Sequence, residues 1–255
     1  DFEADELEAF IQRYLELDRG VRQPDGFFSI LPGSRERQYQ YALEYFLNPQ
    51  NPHGFGYTLL EVFLDCVGFH QSNLAGQHIE VGDEVWLADD GLDGRIDLVV
   101  CGGNALADHP RWAMFLELKV GAEEGDRQTT TYAEADEWDF SWFDTSRLTV
   151  DRLDDSRYVY LKRAGADQPT DRTGTFDVLD WADLVERFEA ELGDSLFEYP
   201  NRSVVQFTDF IRSVKETEGM DSPIDEDELN ERLDLYFEHD RLIRQVEKAN
   251  KIGRA

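Results

Sequence analysis

The spacing of hydrophobic residues changes along the chain from a helical period to a strand period and back again. In the N-terminal third, apolar residues recur every three or four positions, which is typical of helices that bury one face. From residue 78 onward, short β-branched and aromatic runs bounded by turn residues indicate strands. The spacing predicts helices over 3–18, 34–47, 57–67, 126–137, 178–192, 200–217 and 225–249. It predicts strands over 78–87, 95–101, 112–120 and 158–162.

This order of elements predicts an α/β domain with a mixed sheet. We expect an N-terminal helix and loop over residues 1–33, a core over 34–170, and a helical C-terminal region over 171–255 that packs on the core. The chain has 255 residues, of which 41% are hydrophobic, and this is enough to bury the core of one large domain.

Net charge is the most unusual global property of the sequence. Asp and Glu number 55 against 25 Lys and Arg, so the formal charge is −30, and only five of the basic residues are lysines. Adaptation to a salt-rich cytoplasm, as in halophiles, explains this charge, because salt screens the repulsion between acids. A basic partner protein is the alternative explanation. The charge argues against nucleic-acid binding, which normally uses a basic surface, but high salt weakens this objection because counterion release then contributes less.

Cysteine usage and hydropathy predict a cytoplasmic protein without a membrane segment. No apolar run is long enough to span a bilayer, and the first residues are acidic, unlike those of a signal peptide. Cys66 and Cys101 both lie in apolar stretches, which favours buried, reduced thiols over a disulfide framework or a zinc site.

Asp97 interrupts the most apolar predicted strand of the chain. It is the one ionisable residue among the Ile, Leu and Val residues of 96–100. Burying an unpaired carboxylate is costly, so a buried Asp97 requires a cation or a hydrogen-bonding partner. The alternative is an Asp on the open face of an edge strand, paired with an Arg.

The next predicted strand repeats this anomaly with two charged residues. Side chains alternate along a strand, so Glu117 and Lys119 share one face while their neighbours point to the core. Lys119 is also the only one of the five lysines that has an acid two residues before it. If the two strands pair as a hairpin, Asp97 lies beside Glu117, and such a carboxylate pair favours Mg²⁺ or Mn²⁺. A surface ion pair between Glu117 and Lys119 is the alternative.

Other polar residues lie on the helices that flank these strands. Gln128 and Tyr132 are four residues apart, and therefore share one face of the predicted helix 126–137. Glu36 and Glu44 are candidate acids in the helix 34–47, although either is equally consistent with a solvated surface in so acidic a chain.

His53 and the tryptophans allow two interpretations each. In the segment His-Gly-Phe-Gly, His53 either contacts phosphate or a metal, or serves the turn between two helices. Trp138 and Trp142 either stack on bases or close the core, as buried tryptophans more often do.

Together these residues resemble the PD-(D/E)XK nuclease superfamily. The resemblance rests on Asp97 in one strand, Glu117-Leu118-Lys119 in the next, and Gln128-x-x-x-Tyr132 in the following helix, the last being typical of the RecB-like branch. A subgroup of unassigned activity shares the further order Glu36, 43–49, 53–56, Gly94-Arg95-Ile96-Asp97 and Tyr160-Leu161. The resemblance covers about residues 34–162, and Ile96 stands where the motif has proline.

The resemblance implies a restriction-endonuclease-like core, in which a mixed sheet of four to five strands is flanked by helices, with a helical C-terminal extension. It implies a nuclease that hydrolyses DNA with Mg²⁺ or Mn²⁺, in defence, restriction or repair. In that role Asp97, Glu117 and the Leu118 carbonyl would bind the metal, and Glu36 would contact it directly or through water.

The same resemblance assigns the remaining residues to the reacting groups. Lys119 would position the attacking water or help to deprotonate it, and would offset charge on the phosphorane. Gln128 and Tyr132 would orient the site and contact phosphate.

Two alternatives to a DNA nuclease stay open from the sequence. One is a nuclease-like fold that no longer cuts, and that binds nucleic acid or a partner protein. The other is an acidic interaction module for a basic partner. A homodimer is compatible with each of them, and no membrane is expected as a partner.

Overall fold

The computed structural model describes residues 34–89, 92–121, 124–125, 127–142 and 145–220. The helices predicted over 3–18 and 225–249, and the segment 1–33 expected to precede the core, lie outside the described residues. The α-helices of the described part are α1 (Arg35–Leu47), α2 (Thr58–Cys66), α3 (Gln128–Ala133), α4 (Trp181–Leu192) and α5 (Asn201–Glu218).

The strands of the described part are β1 (His78–Leu87), β2 (Arg95–Gly103), β3 (Trp112–Leu118), β4 (Glu137–Trp142), β5 (Thr145–Thr149), β6 (Asp155–Lys162) and β7 (Phe176–Asp180). Short 3₁₀ turns occur at Leu74–Gly76, Val150–Arg152 and Gly193–Glu198.

The seven strands form one mixed sheet in the order β5-β4-β1-β2-β3-β6-β7. The first five strands in this order pair antiparallel, whereas β6 and β7 continue the sheet parallel to β3. The sheet is therefore mixed, as predicted, and flanked by helices, but it is larger than the predicted four to five strands.

Apolar side chains on the two faces of the sheet enter two separate cores. Even-numbered residues of β3, such as Met114 and Leu116, pack with the helices α1, α2, α4 and α5. Odd-numbered residues, such as Ala113 and Phe115, pack with Tyr132 of α3 and Trp138 of β4. Because β3 is covered on both faces, every one of its side chains is buried, and the ionisable Glu117 among them requires an explanation.

The central position of β2 decides one of the sequence alternatives. β2 lies between β1 and β3, so it is not an edge strand, and the interpretation of Asp97 as an edge-strand acid is wrong.

Two further findings concern membrane-spanning helices and the cysteine thiols. No helix within the described ranges is long and apolar enough to cross a bilayer. Cys66 and Cys101 are both free, and Cys101 is buried.

Three strands were not predicted from the spacing of apolar residues. β4 begins at the end of the helix predicted over 126–137, β5 lies in a stretch for which no element is predicted, and β7 overlaps the start of the helix predicted over 178–192. The helix predicted over 126–137 is only six residues long, since three consecutive threonines at 129–131 favour helix poorly and β4 begins at Glu137. Thus the boundary errors fall where a helix meets a strand.

A close contact between β2 and β3 leads to a stability prediction. Gly102 lies opposite Trp112, and a Cβ on Gly102 would come within 2.4 Å of the indole ring. The ring is buried, and its Nε1 donates to Gln77 Oε1 at 2.7 Å, so it is held in place. We expect Gly102→Ala to lower the free energy of unfolding by about 1–3 kcal/mol, as measured by urea denaturation.

Gly121→Ala is the matched control for that experiment, because a Cβ at Gly121 has no other atom within 4 Å. Equal stability of the two variants would show that the Trp112 ring does not restrict position 102.

Candidate active site

The candidate site begins where β2 and β3 separate. Regular pairing of the two strands ends at Leu98 and Leu116, so that Asp97 and Glu117 stand opposite each other just beyond the last pair. There the Leu118 amide donates to Asp97 Oδ2 at 2.7 Å instead of to a backbone carbonyl. The Asp97 carboxylate thus takes the place of a backbone carbonyl as the acceptor, and the structure brings Asp97 and Glu117 together.

Side chains also satisfy the backbone groups of β2 that the separation leaves unpaired. Gln40 of α1 donates to the Asp97 carbonyl at 2.8 Å. The Tyr132 hydroxyl donates to the Arg95 carbonyl at 2.6 Å and receives a hydrogen bond from Gln128 Nε2 at 2.9 Å. Gln128 and Tyr132 are therefore joined to each other, as their spacing predicts, and they hold the start of β2 two residues before Asp97.

Glu117 and Lys119 form an ion pair inside the protein. Glu117 is 0% exposed and Lys119 is 8% exposed, and Lys119 Nζ donates to Glu117 Oε1 at 2.6 Å. The alternative of a surface ion pair is therefore wrong. The Lys119 carbonyl accepts a hydrogen bond from Trp181 Nε1 at 3.2 Å, which fixes the backbone at this point. Glu117 Oε2 is buried without a hydrogen-bonding partner.

Burial makes the carboxylates hold protons unusually firmly, and repulsion from neighbouring acids adds to the effect. Burial raises the pKa of Glu117 to about 8, and the charge of Asp97 adds to this while Lys119 opposes it. Burial also raises the pKa of Asp97 to about 6, against the effect of the Leu118 amide and of Lys119. For Lys119, burial alone would lower the pKa, but the Glu117 carboxylate raises it above its ordinary value. The cluster therefore retains protons that its members would lose in water.

The two acids of α1 have different surroundings. Glu36 Oε2 accepts a hydrogen bond from the Val120 amide at 3.1 Å, so Glu36 reaches the segment that follows Lys119. Glu44 instead lies near Asp83, and burial followed by this neighbour raises the pKa of Glu44. The structure therefore brings Glu36, but not Glu44, to the backbone next to the candidate site.

His53 belongs to a turn rather than to this site. Its Nε2 bonds to the Asn48 carbonyl at 2.9 Å, and its Nδ1 accepts a hydrogen bond from the Phe55 amide at 3.0 Å. Both ring nitrogens are thus engaged by the backbone, and the side chain is 0% exposed. The following Gly54 has φ +78, a conformation that residues with a Cβ rarely adopt. These contacts show that the His-Gly-Phe-Gly segment forms the turn between α1 and α2.

Trp138 closes the core on the α3 side of the sheet. Its side chain is 0% exposed, and its ring packs against Phe115 and Tyr132. The alternative that Trp138 stacks on bases is therefore wrong. The side chain of Trp142 lies outside the described residues.

The donor atoms at this site fit a divalent cation only in part. Across the ranges that the structure describes, no three His, Cys, Asp or Glu side chains are arranged to hold a metal. Asp97 and Glu117 nevertheless supply hard oxygen atoms side by side, and Glu117 Oε2 has no other partner. A cation between the two would offset the burial that chiefly raises both pKa values, and it would relieve the repulsion that Glu117 experiences from Asp97. The two carboxylates therefore fit a divalent cation, and its further ligands would come from the backbone and from water.

A cavity of about 440 Å³ opens beside Lys119. Its lining includes Glu124, Tyr160 and Arg163. Glu124 accepts hydrogen bonds from the amides and hydroxyls of Thr129 and Thr170, at 2.6–2.8 Å. This carboxylate therefore joins the start of α3 to the segment between β6 and β7, and it keeps the wall of the cavity in place.

Several residues that shape the site were not among the predicted ones. Gln40 lies four residues after Glu36, and this helical spacing is the signal that would find it. Arg95 lies within the Gly-Arg-Ile-Asp segment, in which the resemblance implies a role only for Asp97. Glu84 has φ +49, and no sequence pattern announces that conformation. It forms ion pairs with both Arg37 and Arg95.

Comparison with known protein families gives a match over most of the chain. The sequence model of the PD-(D/E)XK nuclease superfamily matches residues 25–201, which extends beyond the predicted range of about 34–162 on both sides. Searches among curated proteins and solved structures found no significant match.

The raised pKa of Glu117 predicts how stability depends on pH. Between the ordinary carboxyl value of 4.5 and about 8, the folded protein holds a proton that the unfolded chain releases. This contribution to stability is therefore lost as the pH rises through that interval. We expect Glu117→Gln, which cannot ionise, to flatten the decline, and the difference from wild type to grow towards pH 8 in thermal denaturation without added metal.

Glu186→Gln on the exposed surface of α4 removes one acid without this burial, and it should leave the pH profile parallel to that of wild type. A Glu117→Gln profile parallel to wild type would contradict the burial penalty at Glu117.

Proposed function

We propose that this chain, which belongs to the PD-(D/E)XK nuclease superfamily, hydrolyses phosphodiester bonds of DNA with Mg²⁺ or Mn²⁺. Its helix-flanked mixed sheet is consistent with the restriction-endonuclease-like fold of that superfamily. The observation that carries the proposal is the group of half-buried Asp97 with the buried Glu117 and Lys119, in which one Glu117 oxygen has no hydrogen-bonding partner. Keeping such a group in the interior costs stability, and the chemistry that it performs explains its retention.

Asp97 and Glu117 would hold the metal, with the Leu118 carbonyl and Glu36 as the further protein donors. When bound, a divalent cation polarises a phosphoryl oxygen and lowers the pKa of water in the site. Glu36 already lies at the Val120 amide, so a water molecule can link its carboxylate to the metal. Binding would displace a proton from the Asp97–Glu117 pair, because a cation favours the ionised form of both acids.

Lys119 would act mainly through its charge. The Glu117 carboxylate raises the pKa of this amine, which favours the ammonium form over a free base. An ammonium group here can orient the attacking water and offset the negative charge that grows on the phosphorane. Of the two roles implied by the resemblance, positioning and charge compensation thus have better support than deprotonation.

Gln128 and Tyr132 would act as positioning residues, as in the RecB-like branch. Their chain of hydrogen bonds ends at the Arg95 carbonyl, and so it sets where β2 starts. Burial raises the pKa of Tyr132 to about 12, so its hydroxyl keeps its proton and continues to donate.

The acidic composition suits a protein that works in a salt-rich cytoplasm. At −30, the chain as a whole repels nucleic acid at low ionic strength. At about 1 M salt the Debye length falls to about 3 Å, so distant acids no longer act on a bound strand. Under these conditions only the groups in direct contact with the substrate determine binding.

The two alternatives differ from a nuclease in measurable ways. A nuclease-like fold that no longer cuts would keep the sheet but would not bind Mn²⁺ at Asp97 and Glu117. An acidic interaction module would bind basic proteins and would be indifferent to changes at the buried Lys119.

We expect the purified protein to cut DNA when Mg²⁺ or Mn²⁺ is present, and chelation by EDTA to stop it. Glu117→Gln, Asp97→Asn and Lys119→Met should each lower the rate by at least about a hundredfold, since each removes a metal ligand or the compensating charge. Calorimetry should show Mn²⁺ binding to the wild type and much weaker binding to Asp97→Asn.

Glu80→Gln, an acid on β1 in the same sheet, is the control and should cut like wild type. Full activity of both Glu117→Gln and Lys119→Met would overturn the site assignment. Absence of Mn²⁺ binding to the wild type would instead favour the non-cutting fold.

Salt should stabilise this protein if the acidic surface is a halophilic adaptation. Raising KCl to about 1 M should increase the midpoint of thermal unfolding by at least about 4 °C, because screening removes repulsion that the unfolded chain relieves by expanding. NaCl should act alike at equal ionic strength. A midpoint that falls with added KCl would contradict halophilic adaptation and favour the alternative of a basic partner.

A further inference from the structure

Two exposed aromatic rings lie close to the candidate site. Tyr41 on α1 is 44% exposed and Trp86 on β1 is 52% exposed. In the part of the chain that the structure describes, they are the two aromatic residues among the exposed large hydrophobic side chains. Exposing such rings brings no benefit to folding, so their position on neighbouring elements suggests a ligand with flat apolar faces.

Each ring is paired with an arginine. The Arg37 guanidinium lies 5.0 Å from the centre of the Tyr41 ring, and its Nε donates to the Tyr41 hydroxyl at 2.9 Å. The Arg95 guanidinium lies 5.4 Å from the centre of the Trp86 ring, and these two residues are direct partners across β1 and β2. Stacking of this kind holds a guanidinium in place while it retains its charge for a phosphate.

Glu84 joins the two pairs into one surface. Its Oε1 lies 3.1 Å from Arg95 Nη1 and also forms a short ion pair with Arg37. Glu84 adopts φ +49, a strained conformation for a residue with a side chain, and such strain is found where function requires it. Two arginines thus share one acid in a chain whose net charge is −30. We call Arg37, Tyr41, Glu84, Trp86 and Arg95 the aromatic platform.

The aromatic platform adjoins the carboxylates. Arg37 directly follows Glu36, and Arg95 precedes Asp97 by two residues on β2. In the pairing of β1 with β2, Asp83 faces Leu98 and Val85 faces Ile96, so Glu84 stands across from Asp97. A strand lying on the two rings would therefore run towards the position at which Asp97 and Glu117 meet.

We propose that the aromatic platform binds an unpaired DNA strand, so that the substrate of the proposed nuclease is single-stranded DNA or a single-stranded end. Bases within a duplex already stack on one another, whereas unpaired bases can stack on Trp86 and Tyr41. Arg37 and Arg95 contact the adjoining phosphates. This inference rests on the proposed function, and it names the form of DNA that reaches that same site.

Stacking also suits the charge of this protein. Each phosphate contact on a single strand contributes about −0.7 to the slope of log K against log salt, so two arginines give about −1.4. Base stacking is much less sensitive to salt. Most of the affinity would then survive at the ionic strength at which acidic repulsion is screened.

The test measures binding separately from cutting. Fluorescence anisotropy with a labelled oligothymidine in EDTA gives the dissociation constant without cleavage. We expect Trp86→Ala to weaken binding about tenfold and Trp86→Phe to restore most of it, since either aromatic ring can stack. Arg95→Gln should make the salt slope shallower by about 0.7.

Matched controls remove similar groups elsewhere. Val205→Ala removes an exposed apolar side chain from α5, and Arg187→Gln removes an exposed charge from α4. Both should bind the strand like wild type, and thermal denaturation should show every variant to be folded. In Mg²⁺, Trp86→Ala should raise KM for single-stranded DNA several-fold with little change in kcat, and should reduce the preference over duplex.

The outcomes separate this inference from the proposed function. One outcome is that binding of single-stranded DNA depends on Trp86 in a protein that cuts nothing with Mg²⁺ or Mn²⁺. That result would support the role of the aromatic platform and overturn the proposed nuclease activity. Cutting that depends on Glu117, with unchanged strand binding by Trp86→Ala, would overturn the aromatic platform and leave the nuclease. A wild-type preference for duplex would also overturn it.

Discussion

The separation of β2 from β3 at Asp97 is the constraint on which the candidate site depends. Two neighbouring strands cannot part inside a protein without leaving amides and carbonyls unpaired, and each buried, unpaired group costs about 1–3 kcal/mol. Here the Asp97 carboxylate accepts a hydrogen bond from the Leu118 amide. Gln40 donates to the Asp97 carbonyl, and Tyr132 donates to the Arg95 carbonyl. The gap between the strands is therefore stable, and it gives the Asp97 and Glu117 side chains room to face one another.

This geometry also creates the electrostatic cost of the site. Glu117 lies on a strand that is covered on both faces, so solvent cannot screen its repulsion from Asp97. Lys119 compensates only one Glu117 oxygen, and the other has no hydrogen-bonding partner. An interior built for stability alone would place an apolar residue at 117. The arrangement is understandable if a cation completes it, because a cation converts repulsion between the two acids into joint coordination.

The sequence was most informative where one pattern had one physical cause. A lone Asp in an apolar run and a Glu-x-Lys in the next strand require partners, so Asp97 and Glu117 could be placed side by side once a hairpin was assumed. The sequence does not predict β4, although Glu137, Trp138, Asp139 and Phe140 alternate clearly, because the helical spacing before this strand continues to residue 137. The pairing of Glu84 with two arginines could not be predicted, since it depends on an unusual backbone angle and on contacts between α1, β1 and β2.

The strongly negative charge and the candidate chemistry can be reconciled by considering distance. Charge acts on a polyanion over the Debye length, whereas ring stacking, metal coordination and ion pairs act only in contact. In strong salt the acids far from the site become irrelevant to a bound strand, and the contact groups remain. In this protein those groups would be two exposed rings, two arginines and a divalent cation held by the carboxylate pair. A chain can therefore carry many acids and still bind DNA, provided that affinity comes from stacking and metal contacts rather than from a broad basic surface.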